Sequence, residues 1–200
     1  KNQSTEHYAA ERFKNYKKYK LNYKFPQHFK GNLSDYGVGH GRKTKTGAKA
    51  AIIREKGVNG DREMAYSLFL AGFDVKDVHM TDLISGREDL SDVNMIVFVG
   101  GFSNSDVLGS AKGWAGAFLF NPKAKQALDN FYARKDTLSL GVCNGCQLMM
   151  ELGLVKSKGQ TQPMHHNVSG KFESTFLGVT VQENKSILLS SLTGSSLGIW

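Results

Sequence analysis

Thr137-Leu138-Ser139-Leu140-Gly141-Val142-Cys143-Asn144-Gly145-Cys146-Gln147-Leu148 carries the clearest structural signal in the chain. An apolar run suited to a buried strand reaches Val142, and helix-like sequence runs from Asn144 to Leu152. Cys143 alone separates them, so its thiol is expected at the tip of a tight strand-to-helix turn. Glycines at 141 and 145 relieve crowding there and let backbone approach a ligand. The arrangement reads as a nucleophile elbow. Unpaired N–H groups and the helix dipole at such a tip favour a thiolate, the nucleophilic form. The N–H of Asn144, next in the chain, is expected to donate to a developing oxyanion.

Working outward, strand and helix patterns alternate. Ala50–Ile53, Val75–Met80, Asn94–Val99 and Thr137–Val142 read as strands; Arg62–Phe73 and Asn121–Arg134 carry apolar residues at helical spacing. Pro122 suits the first turn of its helix. Short connections between alternating elements predict an α/β domain with a mostly parallel sheet covered by helices on both faces. Ligands in such sheets bind beyond the carboxyl ends of the strands. Gly100-Gly101-Phe102-Ser103 follows the third strand and Cys143 the fourth, so both motifs are expected at one cleft. Paired glycines there would turn a second main-chain N–H towards a substrate carbonyl. Beyond Val155, Phe172–Val181 and Ser186–Leu189 read as further strands, and the chain stops at Leu197-Gly198-Ile199-Trp200 as if inside an element.

The chain has 200 residues and a formal charge of +8, unevenly placed. Residues 1–50 hold 12 Lys/Arg against 3 Asp/Glu, and residues 51–200 hold 14 against 15. The basic character therefore belongs to an arm over residues 1–48, and the domain from 49 to 200 is nearly neutral. Within the arm, residues 6–19 could form a helix with Tyr8, Phe13, Tyr16 and Tyr19 packed on something, followed by a surface linker over Tyr23–Thr46. Nucleic acid is not expected as a partner, because a basic tail is not a basic folded surface. No apolar stretch approaches the length of a membrane span, so no membrane association is expected. Two cysteines three residues apart imply no disulfide framework, and the cytoplasm is the expected compartment.

Other chemistries fit the same residues. Cys143-Asn144-Gly145-Cys146 also fits a Cys-x-x-Cys redox pair. The flanking glycines favour the elbow, with Cys146 expected to pack as a small apolar residue. His165 and His166 point to opposite faces of an extended segment, so at most one could serve Cys143 as a base. Neither has metal-ligand spacing with another donor, and no metal site is expected. His79, at a strand end, reads as structural. A non-catalytic basic binding module is the remaining alternative.

Gly141–Gln147 with Gly100–Ser103 resembles the class I (triad) glutamine amidotransferases, whose sheet is flavodoxin-like. Arg54-Glu55-Lys56-Gly57-Val58-Asn59-Gly60-Asp61-Arg62-Glu63-Met64, Ala71–Val75, Asp77–Leu83, Asp106–Gly109 and Asn167–Ser169 narrow the resemblance. Over about residues 49–200 the sequence is similar to the C-terminal glutaminase domain of large-type phosphoribosylformylglycinamidine synthases. The resemblance implies that Cys143 attacks the side-chain amide of L-glutamine, giving a glutamyl thioester and ammonia. It implies main-chain donors around Gly100, Gly101 and Asn144, with Gln147 and Phe102 positioning glutamine. Residues 1–48 would join a preceding synthetase domain of the same full-length chain, the partner that takes the ammonia. ATP and Mg2+ are expected in that domain, and no cofactor in residues 1–200. The resemblance also places a His-x-Glu pair after a Gly-Ile-Trp-like strand. A chain ending at Trp200 lacks both, and alone is expected to show little glutaminase turnover.

Overall fold

The computed structural model describes residues 5–16, 20–36, 41–155 and 164–199. They fall into two compact units: residues 36–166, and residues 1–35 together with 167–200.

In the first unit, β1 (Lys49–Arg54), β2 (Asp74–His79), β3 (Met95–Phe98) and β4 (Leu138–Gly141) form one sheet in the order β2-β1-β3-β4. Every pairing is parallel, as the alternating pattern predicts. The chain goes from β1 outward to β2, then crosses back past β1 to β3. The carboxyl ends of β1 and β3 are therefore a switch point, where connecting loops diverge to opposite faces and leave a crevice.

Both faces of β1 and β3 are apolar, which is why these two read as short continuous runs, whereas β2 at the sheet edge carries Asp74, Lys76 and Asp77. On one face Ala50, Ile52, Met95, Val97 and Val99 pack with Leu68 of α2 (Asp61–Leu70). On the other, Ala51, Ile53, Val78, Ile96 and Phe98 meet α3 (Met80–Ser85), α4 (Lys112–Leu119), α5 (Pro122–Ala133) and α6 (Asn144–Glu151). Phe98 centres this second layer, fully buried and edge-on to both Trp114 and Phe118 with ring centroids 6.0 Å apart. Such a pair adds ~0.5–1.5 kcal/mol beyond its burial.

The helix ends follow local chemistry. Asn121 caps α5 by accepting from the Ala124 N–H at 3.0 Å, with Pro122 at the first position. His79 caps α3: its Nδ1 accepts from the Thr81 N–H at 3.2 Å, and its own N–H donates to Asp82 at 3.0 Å. The ring of His79 is thus structural. Neither α3 nor α4 was expected from sequence. α3 has only six residues, and α4 begins after Ala111 in a left-handed conformation and contains two glycines.

In the second unit, β5 (Leu177–Thr180) pairs antiparallel with β6 (Ser196–Ile199), and Lys24 bridges to Ser196. The amino-terminal helix α1 spans Thr5–Tyr16; Tyr19 and Trp200 lie outside the described residues. The strand expected over Ser186–Leu189 is not formed. The chain there turns back on itself, with the Ser190 N–H donating to the Ser186 carbonyl at 2.8 Å, ahead of a 3-10 turn at Ser190–Leu192.

Candidate active site

Cys143 has φ 52° and ψ −111°, a backbone conformation that costs a non-glycine residue ~1–3 kcal/mol and persists only where surrounding contacts impose it. Those contacts are main-chain bonds. The Val142 N–H donates to Phe98 O at 3.0 Å, Gly145 N–H to Val142 O at 2.8 Å, and Cys146 N–H to Cys143 O at 2.9 Å. Gly145 is indispensable to this packing, because a Cβ there would collide with the carbonyl oxygen of Phe98. The result is an exposed thiol at the N-terminus of α6.

The loop after β3 reaches the same point. A Cβ on Gly100 would lie 3.1 Å from the Cβ and 3.8 Å from the Sγ of Cys143, so Gly100 abuts the thiol. Gly101 has φ 126°, and a Cβ there would come within 2.6 Å of Val58 Cα. That closeness is a β-bridge between Gly101 and Val58, in the loop after β1. Asn59 N–H donates to Gly100 O at 2.9 Å, and Phe102 N–H to Gly57 O at 3.0 Å. The segment 54–64 thus backs the glycine pair. The Phe102 N–H is spent on this bridge, and the residue is 65% exposed. The N–H groups of Gly101 and Asn144 donate to no acceptor among the described residues.

Ser103 and Asn144 join the two loops. Both are 2% exposed. Asn144 Oδ1 accepts from the Ser103 hydroxyl at 2.6 Å and from the Ser103 N–H at 3.2 Å, and its Nδ2 donates to Gln147 Oε1 at 2.9 Å. This buried network fixes the first turn of α6 against the Gly100–Ser103 loop. Ser103, Gly57 and Asn59 carry this geometry although the sequence offered them only as parts of motifs. A polar residue directly after Gly-Gly-Phe was the available signal for Ser103.

One expectation comes out differently. Cys146 is exposed and not packed in the core. On α6 the buried face is carried by Asn144, Gly145 and Leu148, and Cys146 falls between them on the outer side. His165 and His166 are both exposed. Among the described residues, the Cys143 thiol has no hydrogen-bond partner, and no three His, Cys, Asp or Glu side chains are grouped to hold a metal ion.

The CobB/CobQ-like glutamine amidotransferase domain family matches residues 47–200. The chain belongs to this family. Among curated relatives, phosphoribosylformylglycinamidine synthase of Dictyostelium discoideum is 50% identical over 157 residues, 76% of this chain and 12% of the relative. The human protein of the same name is 46% identical over 167 residues, again 76% and 12%. A probable chloroplastic/mitochondrial phosphoribosylformylglycinamidine synthase of Arabidopsis thaliana is 49% identical over 159 residues, 76% and 11%. The chain thus spans about one eighth of the length of these relatives. The fold of this glutamine amidotransferase domain is shared with a solved structure, that of PurLQS from Thermotoga maritima. The TM-score is 0.57 at 24% identity, over 77% of this chain and 66% of that one. Among the described residues no helix is long and apolar enough to cross a membrane.

Proposed function

We propose that this domain is the glutaminase part of a phosphoribosylformylglycinamidine synthase, with Cys143 as its nucleophile. The observation that carries the reading is the exposed thiol at the α6 N-terminus, abutted by Gly100 and flanked by the uncommitted N–H groups of Gly101 and Asn144. The thiolate of Cys143 attacks the carboxamide carbon of L-glutamine, and the carbonyl oxygen gains negative charge between those two donors. The C–N bond then breaks, ammonia leaves with a proton taken from its surroundings, and a γ-glutamyl thioester remains. Water cleaves the thioester to glutamate and returns the thiol. Each main-chain donor of this kind contributes about 10²–10³ in rate. Gln147, its Oε1 held by Asn144, keeps Nε2 for the glutamine, and the exposed Phe102 is the residue expected to wall the glutamine's site.

The ammonia serves a synthetase domain of the same full-length chain in the cytoplasm. There ATP and Mg2+ drive conversion of formylglycinamide ribonucleotide to formylglycinamidine ribonucleotide in purine biosynthesis. The names and similarity of the relatives support this assignment. Protonating the departing ammonia and deprotonating the attacking water both need an acid–base side chain, and none bonds to the Cys143 thiol among the described residues. The 200-residue chain is therefore expected to be alkylated readily at Cys143 yet to release ammonia from glutamine slowly.

A diazoketone analogue of glutamine tests the assignment. We expect one adduct, on Cys143, slowed by added L-glutamine, retained in Cys146→Ser and lost in Cys143→Ala. The exposure of Cys146 gives the redox reading one supporting observation. Labelling shared between the two thiols, or insensitive to glutamine, would favour that reading.

A further inference from the structure

A second cleft lies beside the amino ends of β1 and β2, at the opposite edge of the sheet from Cys143. It runs along the outer face of α2 as an open groove of about 620 Å³. Lys43, Lys45 and Arg62 line it, all exposed. Among the described residues none of the three has an ion-pair partner. The one acid on its wall, Asp74, is already satisfied by Arg42 at 2.9 Å, the Gly47 N–H at 2.9 Å and the Thr46 N–H at 3.2 Å. The cleft is therefore cationic, with no carboxylate left to neutralise it.

Its floor is a stack. The Arg42 guanidinium lies 4.5 Å from the centre of the Phe69 ring, and Phe69 stacks with Tyr66 at 6.5 Å and 18°. Tyr66 is half exposed and presents a ring to the cleft. An aromatic platform bordered by uncompensated cations suits a ligand with a planar ring and a phosphate chain, since rings stack on Tyr faces and phosphate attracts Lys and Arg. The size of the cleft and the near-neutral charge of residues 51–200 argue for one such unit and against a nucleic-acid strand, which needs an extended basic track.

We propose that this cleft binds a nucleoside di- or triphosphate, its base on Tyr66 and its phosphates on Lys43, Lys45 and Arg62. The site is independent of Cys143 and of the glutaminase assignment. Calorimetric titration of the 200-residue chain with ADP, pyrophosphate and adenosine, without divalent metal, tests it. We expect saturable 1:1 binding of ADP, tighter than either of the other two and weakened by salt. Lys43→Glu with Lys45→Glu should weaken ADP about tenfold or more. Tyr66→Ala should weaken ADP about fivefold or more while leaving pyrophosphate unchanged. These positions are on the surface, and an unchanged thermal melt serves as the fold control. No saturable binding of ADP up to millimolar concentration would overturn the proposal. So would binding indifferent to the substitutions, pyrophosphate binding as tight as ADP, or an acidic peptide competing equally well.

Discussion

At the carboxyl edge of the sheet, the loops after β1, β3 and β4 meet main chain to main chain, through bridges at Val58–Gly101 and Phe98–Val142. At the amino edge, side chains make many of the contacts: Arg42 to Asp74, Lys49 and Lys76 to Asp92, and Arg134 to Asp136 and to the carbonyls of Ser91 and Val93. Main chain cannot retract from a new atom, whereas a long surface side chain can. The first edge should therefore punish a single methyl group, and the second should tolerate loss of whole side chains. The edge that holds the proposed chemistry is the less forgiving one.

The sharpest way to break this contrast is Gly145→Ala. The added carbon meets the Phe98 carbonyl in the centre of the larger core layer. Destabilisation of about 3 kcal/mol or more is expected in urea unfolding, with loss of Cys143 labelling. A variant as stable as the parent would mean that α6 is free to shift. Asn144→Ala comes next. It leaves the Ser103 N–H and hydroxyl buried without their acceptor, at a cost of about 1–3 kcal/mol. Labelling of Cys143 should slow more than stability falls, because the donor N–H loses its anchor. Equal labelling rates in parent and variant would contradict that role.

Acid separates the edges without any substitution. Hydrogen bonds from Arg42, then from the Gly47 and Thr46 N–H groups, hold the Asp74 carboxyl below its usual range; Lys49 and Lys76 do the same for Asp92. A carboxylate with a lowered folded pKa contributes stability that is complete above its unfolded value of about 4 and is lost as pH falls through the folded value. Amide-exchange protection at Thr46 and Gly47, corrected for intrinsic rates, should therefore hold above about pH 4 and decline below it. Protection at Val142 and Gly145, whose bonds involve no titrating group, should decline only with global unfolding. Simultaneous loss at all four amides would show that the edges do not open separately. The smallest effect belongs to the surface pair Lys125–Asp129 on α5, where Asp129→Ala should change stability by less than about 0.5 kcal/mol.

Much of the carboxyl edge was legible in the sequence because its constraints are local. Strand, turn and helix succeed one another within residues 138–151, and glycines occur where backbone must pass closely. The strand order is consistent with the alternation of patterns and the short connections. What escaped depends on partners distant in sequence. Ser103 acquires its role from Asn144, 41 residues away, and Gly57 and Asn59 acquire theirs from the bridge to the Gly100–Phe102 loop. Cys146 was misread because helical phase, set by the buried Leu148, turns it outward. The Arg42 clamp was hidden in a segment whose composition says only linker, yet it stacks on Phe69 and fixes residues 42–47 on the sheet edge. α4 escaped because two glycines weaken its propensity, while Trp114 and Phe118 supply the burial that forms it.

A crystal structure of the chain alkylated at Cys143 by the diazoketone analogue examines the proposed chemistry most directly, because the ketone oxygen marks where the substrate carbonyl would sit. That oxygen is expected within about 3 Å of both the Gly101 and Asn144 nitrogens. An oxygen turned to solvent, or a label carried by Cys146, would contradict it.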